Sequence, residues 1–165
     1  MAEVLRLGAS KPEATDPLSR ILASGRGAVV SRSSTRGRSY SLALAALMAA
    51  ATGQRLMILD TPAVHSHLRR ELASRRISTD WHILRPQELS TNLPGLRGCL
   101  LLANYAVASA WTRDGLALSQ LLAPAHCALV TLRPRDLACD LQLRHALGAN
   151  VIDADPPRKP QHEEW

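Results

Sequence analysis

A short polar segment holds the residues best suited to binding an anion. The segment RSSTRGRS, residues 32–39, lies between the apolar run GAVVS and a long stretch rich in Ala and Leu. Guanidinium and hydroxyl groups are good partners for phosphate oxygens, and a helix that begins here would add free N–H groups. We therefore predict an anion-binding site, although a solvated loop without a ligand would have the same composition. The candidate residues are Arg32, Ser34, Thr35, Arg36, Gly37, Arg38 and Ser39.

Two carboxylates end apolar runs and could lie near such a site. Asp60 follows RLMIL, and Asp153 follows NVI. In open α/β folds, ligands bind at the carboxyl ends of the strands, so either side chain could face a ligand or its magnesium ion. The sequence Asp60-Thr61-Pro62 is also typical of a helix start, where Asp60 would act only as a helix cap.

The elements that must position these residues form one repeating pattern, in which a short apolar run is followed by a loop and an amphipathic segment. Continuous apolar strands that alternate with helices predict a mainly parallel sheet with helices on both faces, a three-layer α/β/α fold. Strands are predicted at residues 27–31, 55–60, 81–84, 99–102, 128–132 and 150–153. Helices are predicted at residues 16–25, 40–51, from 61, 113–123 and 136–148. The second of these helices is apolar on nearly every side and is predicted to be buried.

Composition and charge limit the domain organisation and the partners. The chain has 165 residues, which is enough for about one domain. We predict a flexible arm at residues 1–15, a domain at 16–154 and a disordered tail at 155–165. The net charge of +6 favours an acidic partner such as nucleic acid, although it could serve solubility alone. No apolar run is long enough to span a membrane. Three cysteines in apolar surroundings indicate a reducing compartment, and we expect a cytoplasmic protein of a bacterium or an infected host cell.

The first half of the folded region resembles P-loop NTPases. The strand GAVVS, loop RSSTRGRS, helix YSLALAALMAAATG and strand RLMILD are similar to the opening of the RecA-like core in helicases and phage terminase large subunits. The resemblance implies that the loop would wrap the phosphates of ATP or GTP and that a hydroxyl would hold magnesium. Gly37 and Ser39 match the motif, whereas Arg38 replaces its lysine and Arg32 replaces its first glycine.

The resemblance also implies that hydrolysis has been lost. The family's Asp-Glu pair falls on the sequence LLLANYA, where Ala103 and Asn104 stand and neither can act as a base. We therefore expect no catalytic residues, no bound metal and no required cofactor, although residual ATP or GTP with magnesium could still bind. An unrelated doubly wound domain with a Ser/Arg-rich first loop would explain the same residues.

The expected function is that of a catalytically degenerate, nucleic-acid-associated binding or scaffolding subunit, in a phage or virus or in its host. Nucleic-acid binding would be weak and independent of sequence, and a protein partner or a second copy of the chain is also expected. The candidate protein-binding surfaces are Trp165 and a helix that carries Arg69, Arg70, Arg75 and Arg76. Two alternatives are a divergent, active ATPase that uses Asp60 or Asp153, and a purely structural virion protein.

Overall fold

Six parallel strands form one sheet in the computed structural model, which describes residues 17–77, 80–85, 97–113, 118–147 and 150–155. Their order across the sheet is β3-β2-β4-β5-β1-β6. The strands are β1 (Arg26–Val30), β2 (Leu56–Leu59), β3 (Trp81–Leu84), β4 (Leu100–Asn104), β5 (Cys127–Leu132) and β6 (Val151–Asp153). Each predicted strand is present within two residues of its expected bounds, because apolar runs of this length are stable when both faces of a parallel sheet are covered.

Helices cover both faces of this sheet and confirm the predicted three-layer α/β/α class. They are α1 (Pro17–Ser24), α2 (Ser34–Thr52), α3 (His65–Ser74), α4 (Tyr105–Arg113), α5 (Leu118–Leu122), α6 (Pro134–Cys139) and α7 (Leu141–Leu147), with a 3₁₀ turn at Pro62–Val64. Ile21, Met48 and Leu72 from α1, α2 and α3 pack on one face. Val107 and Leu143, from α4 and α7, pack on the other.

The connections that follow the neighbouring strands β1 and β5 run over opposite faces of the sheet. The connections that leave β1 and β2 run over the face covered by α1 to α3, whereas those that leave β4 and β5 run over the opposite face. Because β1 and β5 are neighbours, the connections that follow them diverge to opposite faces and leave a crevice at the carboxyl ends of these two strands. Such a switch point is where open parallel sheets bind ligands.

Helix α2 begins six residues earlier than predicted and is not buried on all sides. The Ser33 hydroxyl caps it by accepting a hydrogen bond from the N–H of Arg36, and Gly53, at a φ of 70°, ends it. Tyr40 and Leu47 are 41% and 62% exposed. The prediction of a fully buried helix at 40–51 was wrong because the helix rests on the sheet along one side only.

Two other predicted helices differ in their described bounds. Of the helix expected at 113–123, Arg113 ends α4 and residues 118–122 form α5, whereas residues 114–117 lie outside the described chain. The helix expected at 136–148 is divided into α6 and α7 at Asp140, and residue 148 is not described. Asp136 is the third residue of α6 rather than its cap, and its carboxylate accepts a hydrogen bond from the N–H of Arg133.

The predicted arm at 1–15 and the predicted tail, except Asp155, fall outside the described residues, as does Trp165. Within the described ranges, no helix combines the length and apolar character needed to cross a bilayer.

Candidate functional site

A cleft of about 420 Å³ opens at the carboxyl ends of β1, β4 and β5. Four segments line it: the connection from β1 to α2 with the first turn of α2, Thr61 after β2, the start of α4, and the end of β5 with the connection to α6. Its wall is rich in hydroxyl groups, from Ser31, Ser33, Ser34, Tyr105, Ser109 and Thr131. The cleft therefore lies at the switch point of the sheet and is lined by groups that bind polar ligands.

The connection from β1 to α2 is too short to wrap a triphosphate. Only residues 31–33 separate the strand from the helix. The N–H of Arg36 donates to the Ser33 hydroxyl at 3.2 Å, and the N–H of Gly37 donates to the Ser33 carbonyl at 2.9 Å. Residues 34–39, where the sequence predicts a phosphate loop, are helical. In this conformation the amides of Arg36 and Gly37 serve the helix rather than a ligand.

Gly37 lets α2 approach the sheet closely. A methyl group at this position would lie 3.3 Å from both Ser31 Cβ and Thr131 Cγ2. The same contact region contains a buried hydrogen bond of 2.9 Å in which Thr131 Oγ1 donates to Ser41 Oγ. The glycine that matches the P-loop motif is thus explained by packing between α2 and the strands β1 and β5.

Arg38 and Asp60 come together, but as an ion pair. Arg38 Nε donates to Asp60 Oδ2 at 3.0 Å, and Arg38 Nη2 donates to Asp60 Oδ1 at 3.3 Å. Asp60 Oδ1 also accepts a hydrogen bond from the N–H of Thr61 at 2.7 Å. The carboxylate therefore links the end of β2 to α2. Thr61, rather than Asp60, is the N-cap residue of the 3₁₀ turn that follows, and it makes no side-chain cap hydrogen bond.

Arg32 and Arg36 bind a carboxylate that the sequence assigns to the tail. Asp155 Oδ1 accepts hydrogen bonds from Ser31 Oγ at 2.7 Å and from Arg36 Nη1 at 2.9 Å. Asp155 Oδ2 accepts from the backbone N–H and from Nε of Arg32, at 3.1 and 3.2 Å. We call Ser31, Arg32 and Arg36 the Asp155 cradle.

The Asp155 cradle holds its carboxylate in the ionised form. The Asp155 side chain is only 6% exposed, whereas those of Arg32 and Arg36 are 52% and 48% exposed. Hydrogen bonds from the Ser31 hydroxyl, then from the Arg32 N–H and from Arg36, lower the pKa of Asp155 to about 2. A fixed anion thus sits beside the amino end of α2.

The remaining predicted site residues have separate places. Ala103 is buried in the sheet, and Asn104 Oδ1 accepts a hydrogen bond from the N–H of Ala106 at 2.9 Å, at the start of α4. Ser34 lines the cleft and accepts a hydrogen bond from Arg133, whereas Thr35 and Ser39 are exposed on α2 and are not among the residues that line it. Asp153 is exposed, and its Oδ1 accepts a hydrogen bond from the N–H of Asp155.

Several residues that line the cleft were not identified from the sequence. Arg133 and Arg135 follow β5 in the segment RPRD and are exposed. Arg133 Nη2 donates to Ser34 Oγ at 3.1 Å. The Tyr105 hydroxyl donates to Asp140 at 2.7 Å. Burial, and to a lesser extent this hydrogen bond, raises the pKa of Tyr105 to about 12. Two arginines directly after an apolar strand were the available signal, because that position places them at the ligand-binding edge.

The described residues do not fit a magnesium nucleotide. Ser39, the expected magnesium ligand, lies outside the cleft lining, and Asp60 is engaged by Arg38. Asn104 caps a helix and has no suitable pKa for proton transfer. We therefore derive no reaction step through ATP or GTP.

Comparison with known proteins returned no match to this chain among protein-family models, curated proteins or solved structures. The resemblance to P-loop NTPases therefore remains an interpretation of the sequence.

Proposed function

We propose that this chain is a P-loop NTPase-like binding domain without hydrolytic activity, which associates with nucleic acid through phosphate groups at its cleft. The observation that carries the proposal is an imbalance of available charge. Arg38, Arg133 and Arg135 line the cleft together with one carboxylate, Asp136, and Asp60 neutralises Arg38. Arg135, in contrast, has no partner among the described residues. Arg133 and Arg135 thus outnumber the one carboxylate among the described lining residues, and the cleft keeps a net positive charge for a ligand.

The positions of the strands agree with the P-loop part of this proposal. Two segments resemble P-loop motifs: residues 32–39, which follow β1, and the positions of Ala103 and Asn104 at the end of β4. Both strands end at the same edge of the sheet, with β5 between them. A ligand at the cleft would therefore lie between the amino end of α2 and Asn104. The absence of a base at positions 103 and 104 supports binding without hydrolysis.

The distribution of arginines favours a polyanion. Arg133 and Arg135 line the cleft on its β5 side, and the half-exposed Arg32 and Arg36, which are paired with Asp155, follow Ser31 on the α2 side. Several separated cations suit a chain of phosphates better than one small anion, and contacts of this kind do not depend on base sequence. A cytoplasmic location is part of this proposal.

A protein-binding role is a second candidate, because α2 exposes Tyr40 and Leu47 and partly exposes Leu44, at helical spacing. These side chains form an apolar stripe that a protein partner or a second copy could cover. The divergent-ATPase alternative has less support, because Asp60 is held by Arg38 and Asp153 bonds to the backbone of Asp155. A structural virion protein would use the same basic and apolar surfaces.

The first test measures binding of a fluorescein-labelled single-stranded 20-mer by anisotropy over a range of salt concentrations. We expect the double variant Arg133→Ala/Arg135→Ala to bind more weakly and to lose up to about 1.4 from the log–log salt slope, since each single-strand phosphate contact contributes about 0.7. The matched control is Arg55→Ala/Arg97→Ala, which removes the same charge from exposed residues at the amino edge of the sheet.

Three results would contradict the proposal: no binding at low salt, equal losses in both double variants, or steady release of phosphate from magnesium ATP. Circular dichroism of each variant verifies that the fold is kept. If only the last result is obtained, the divergent-ATPase alternative replaces the proposed function.

A further inference from the structure

The Asp155 cradle contains more positive charge than its occupant can neutralise. Two guanidinium groups, one backbone N–H and one hydroxyl converge on a single carboxylate. These are the donor types that bind phosphate oxygens in proteins. Because Arg32 and Arg36 are each about half exposed, a ligand can reach them from solvent.

We propose that Asp155 is an internal competitor, whose carboxylate occupies a phosphate-binding site formed by Ser31, Arg32 and Arg36. A phosphate group of nucleic acid would bind there when Asp155 moves away. This inference rests on the proposed function and adds a second phosphate position, together with a contact within the chain that limits binding.

The position of Asp155 in the fold allows it to leave without disturbing the sheet. Strand β6 ends at Asp153, and the N–H of Ala154 makes the last hydrogen bond to β1, with the Val30 carbonyl. Outside the cradle, the contact that holds Asp155 within the described chain is the hydrogen bond from its N–H to Asp153 Oδ1. Rotation beyond Ala154 can therefore remove the carboxylate while all strand pairs remain.

The cradle and the cleft share a residue, so one strand of nucleic acid can contact both. The Ser31 hydroxyl donates to Asp155, accepts a hydrogen bond from the N–H of Ser33 at 3.1 Å and lines the cleft. Departure of Asp155 frees this hydroxyl and both arginines together. The number of cations available to a bound strand would then rise from the cleft pair, Arg133 and Arg135, to four.

An opposite role for Asp155 makes the opposite prediction. A carboxylate that only holds Arg32 and Arg36 in place for a ligand would increase affinity, and its removal would weaken binding. The sign of the effect of Asp155 on affinity therefore separates a competitor from a positioning residue.

The test compares wild type, Asp155→Asn and Asp155→Ala in the same anisotropy titration with the single-stranded 20-mer. If Asp155 is out of the cradle in about one-tenth of wild-type molecules, it lowers the apparent affinity about tenfold. We therefore expect Asp155→Ala, in which the cradle is always open, to bind about tenfold more tightly. The salt slope should steepen by up to about 1.4 because two more phosphate contacts form. Asp155→Asn should show a smaller gain, since its amide oxygen can still accept hydrogen bonds.

Two controls separate competition from a general change in charge. Asp80→Asn removes one negative charge from an exposed residue at the amino end of β3, and it should leave the affinity within about twofold. Combining Asp155→Ala with Arg32→Ala and Arg36→Ala should abolish the gain. Inorganic phosphate added as a competitor tests a free anion as the source: it should displace the 20-mer from Asp155→Ala at lower concentrations than from wild type.

Hydrogen exchange provides a measurement on the unaltered protein. Adding the 20-mer to wild type should increase exchange in the peptide that contains residue 155, while β1 stays protected. Unchanged or weaker binding by Asp155→Ala, or greater protection at residue 155, would overturn the competitor role even if Arg133 and Arg135 prove essential. If no variant binds, both this inference and the proposed function fail.

Discussion

Replacing Arg38 with Ala should destabilise the fold, because Arg38 neutralises a buried carboxylate. Asp60 would lose both hydrogen bonds from the guanidinium and keep only the one from the Thr61 N–H. Breaking a buried ion pair costs about 3–5 kcal/mol. The Arg38 side chain is 22% exposed and that of Asp60 is 8% exposed, so water can partly replace the lost donors. We therefore expect a loss of about 2–3 kcal/mol in the free energy of unfolding.

Urea unfolding followed by circular dichroism measures this loss, and thermal melting should show a decrease of about 6–10 °C in Tm. In the double variant Arg38→Met/Asp60→Leu, where no charge remains unpaired, most of the stability should return. A cost below about 0.5 kcal/mol for Arg38→Ala, or a double variant no more stable than the single one, would refute the structural role. Arg38 would then be available to a ligand.

Substituting Lys for Arg38 is an informative companion, because it restores the Gly-Lys-Ser of the P-loop motif. The ammonium group cannot reproduce the two-point contact with Asp60, so we expect a stability loss of about 1 kcal/mol. We expect no gain in ATP binding, because residues 34–39 are already helical. Tight nucleotide binding by Arg38→Lys would show that the loop can open into a phosphate-wrapping form.

Two further predictions concern the cysteine thiols and the Asp155 carboxylate. Burial raises the pKa of Cys99 to about 11 and also raises that of Cys127, whereas Cys139 is exposed. Ellman's reagent at pH 8 should therefore react rapidly with one thiol per native chain and with three after unfolding; fast reaction of all three in the native state would contradict this burial. The folded pKa of Asp155 lies below its ordinary value of 3.8, at about 2, so its ionic contribution to stability is complete above the ordinary value and is lost as pH falls through about 2. The difference in unfolding free energy between wild type and Asp155→Asn should be constant from about pH 5 to 7 and shrink at lower pH, and a difference independent of pH would disprove the ionic contact.

The fold could be predicted because its signal is local. Apolar runs such as residues 56–59 and 100–103 are bounded by polar or glycine-containing segments, and alternation with amphipathic segments favours one parallel sheet. The start of α2 could not be placed in this way, because RSSTRGRS contains no apolar periodicity. A serine cap and the close packing of Gly37 determine that start, and the second of these depends on Thr131, far along the chain.

The candidate site could be located only in part, for a related reason. The sequence places positive charge and hydroxyl groups at the carboxyl edge of β1, but it does not indicate what each arginine binds. Arg38 pairs with Asp60 across 22 positions, and Arg36 pairs with Asp155 across 119. The strand order determines which carboxylates lie near these arginines, because it places β2 and β6 on opposite sides of β1 and of the segment that connects β1 to α2. The sequence placed Asp60 near the loop but did not show that it pairs with Arg38, and it did not identify Asp155 as the partner of Arg32 and Arg36.

The order of strands also determines when the arginines acquire their partners during synthesis. Of the six described strands, β1 is made first, yet both of its neighbours, β5 and β6, come from residues 127–153. The central pairing thus requires closure of a loop of about 100 residues, which makes folding slow compared with that of proteins stabilised by local contacts. Until Asp155, which follows β6 by two residues, is made, Arg32 and Arg36 lack the carboxylate that they bind in the folded domain. Both arginines therefore stay without this partner until the segment that pairs β6 with β1 has been made.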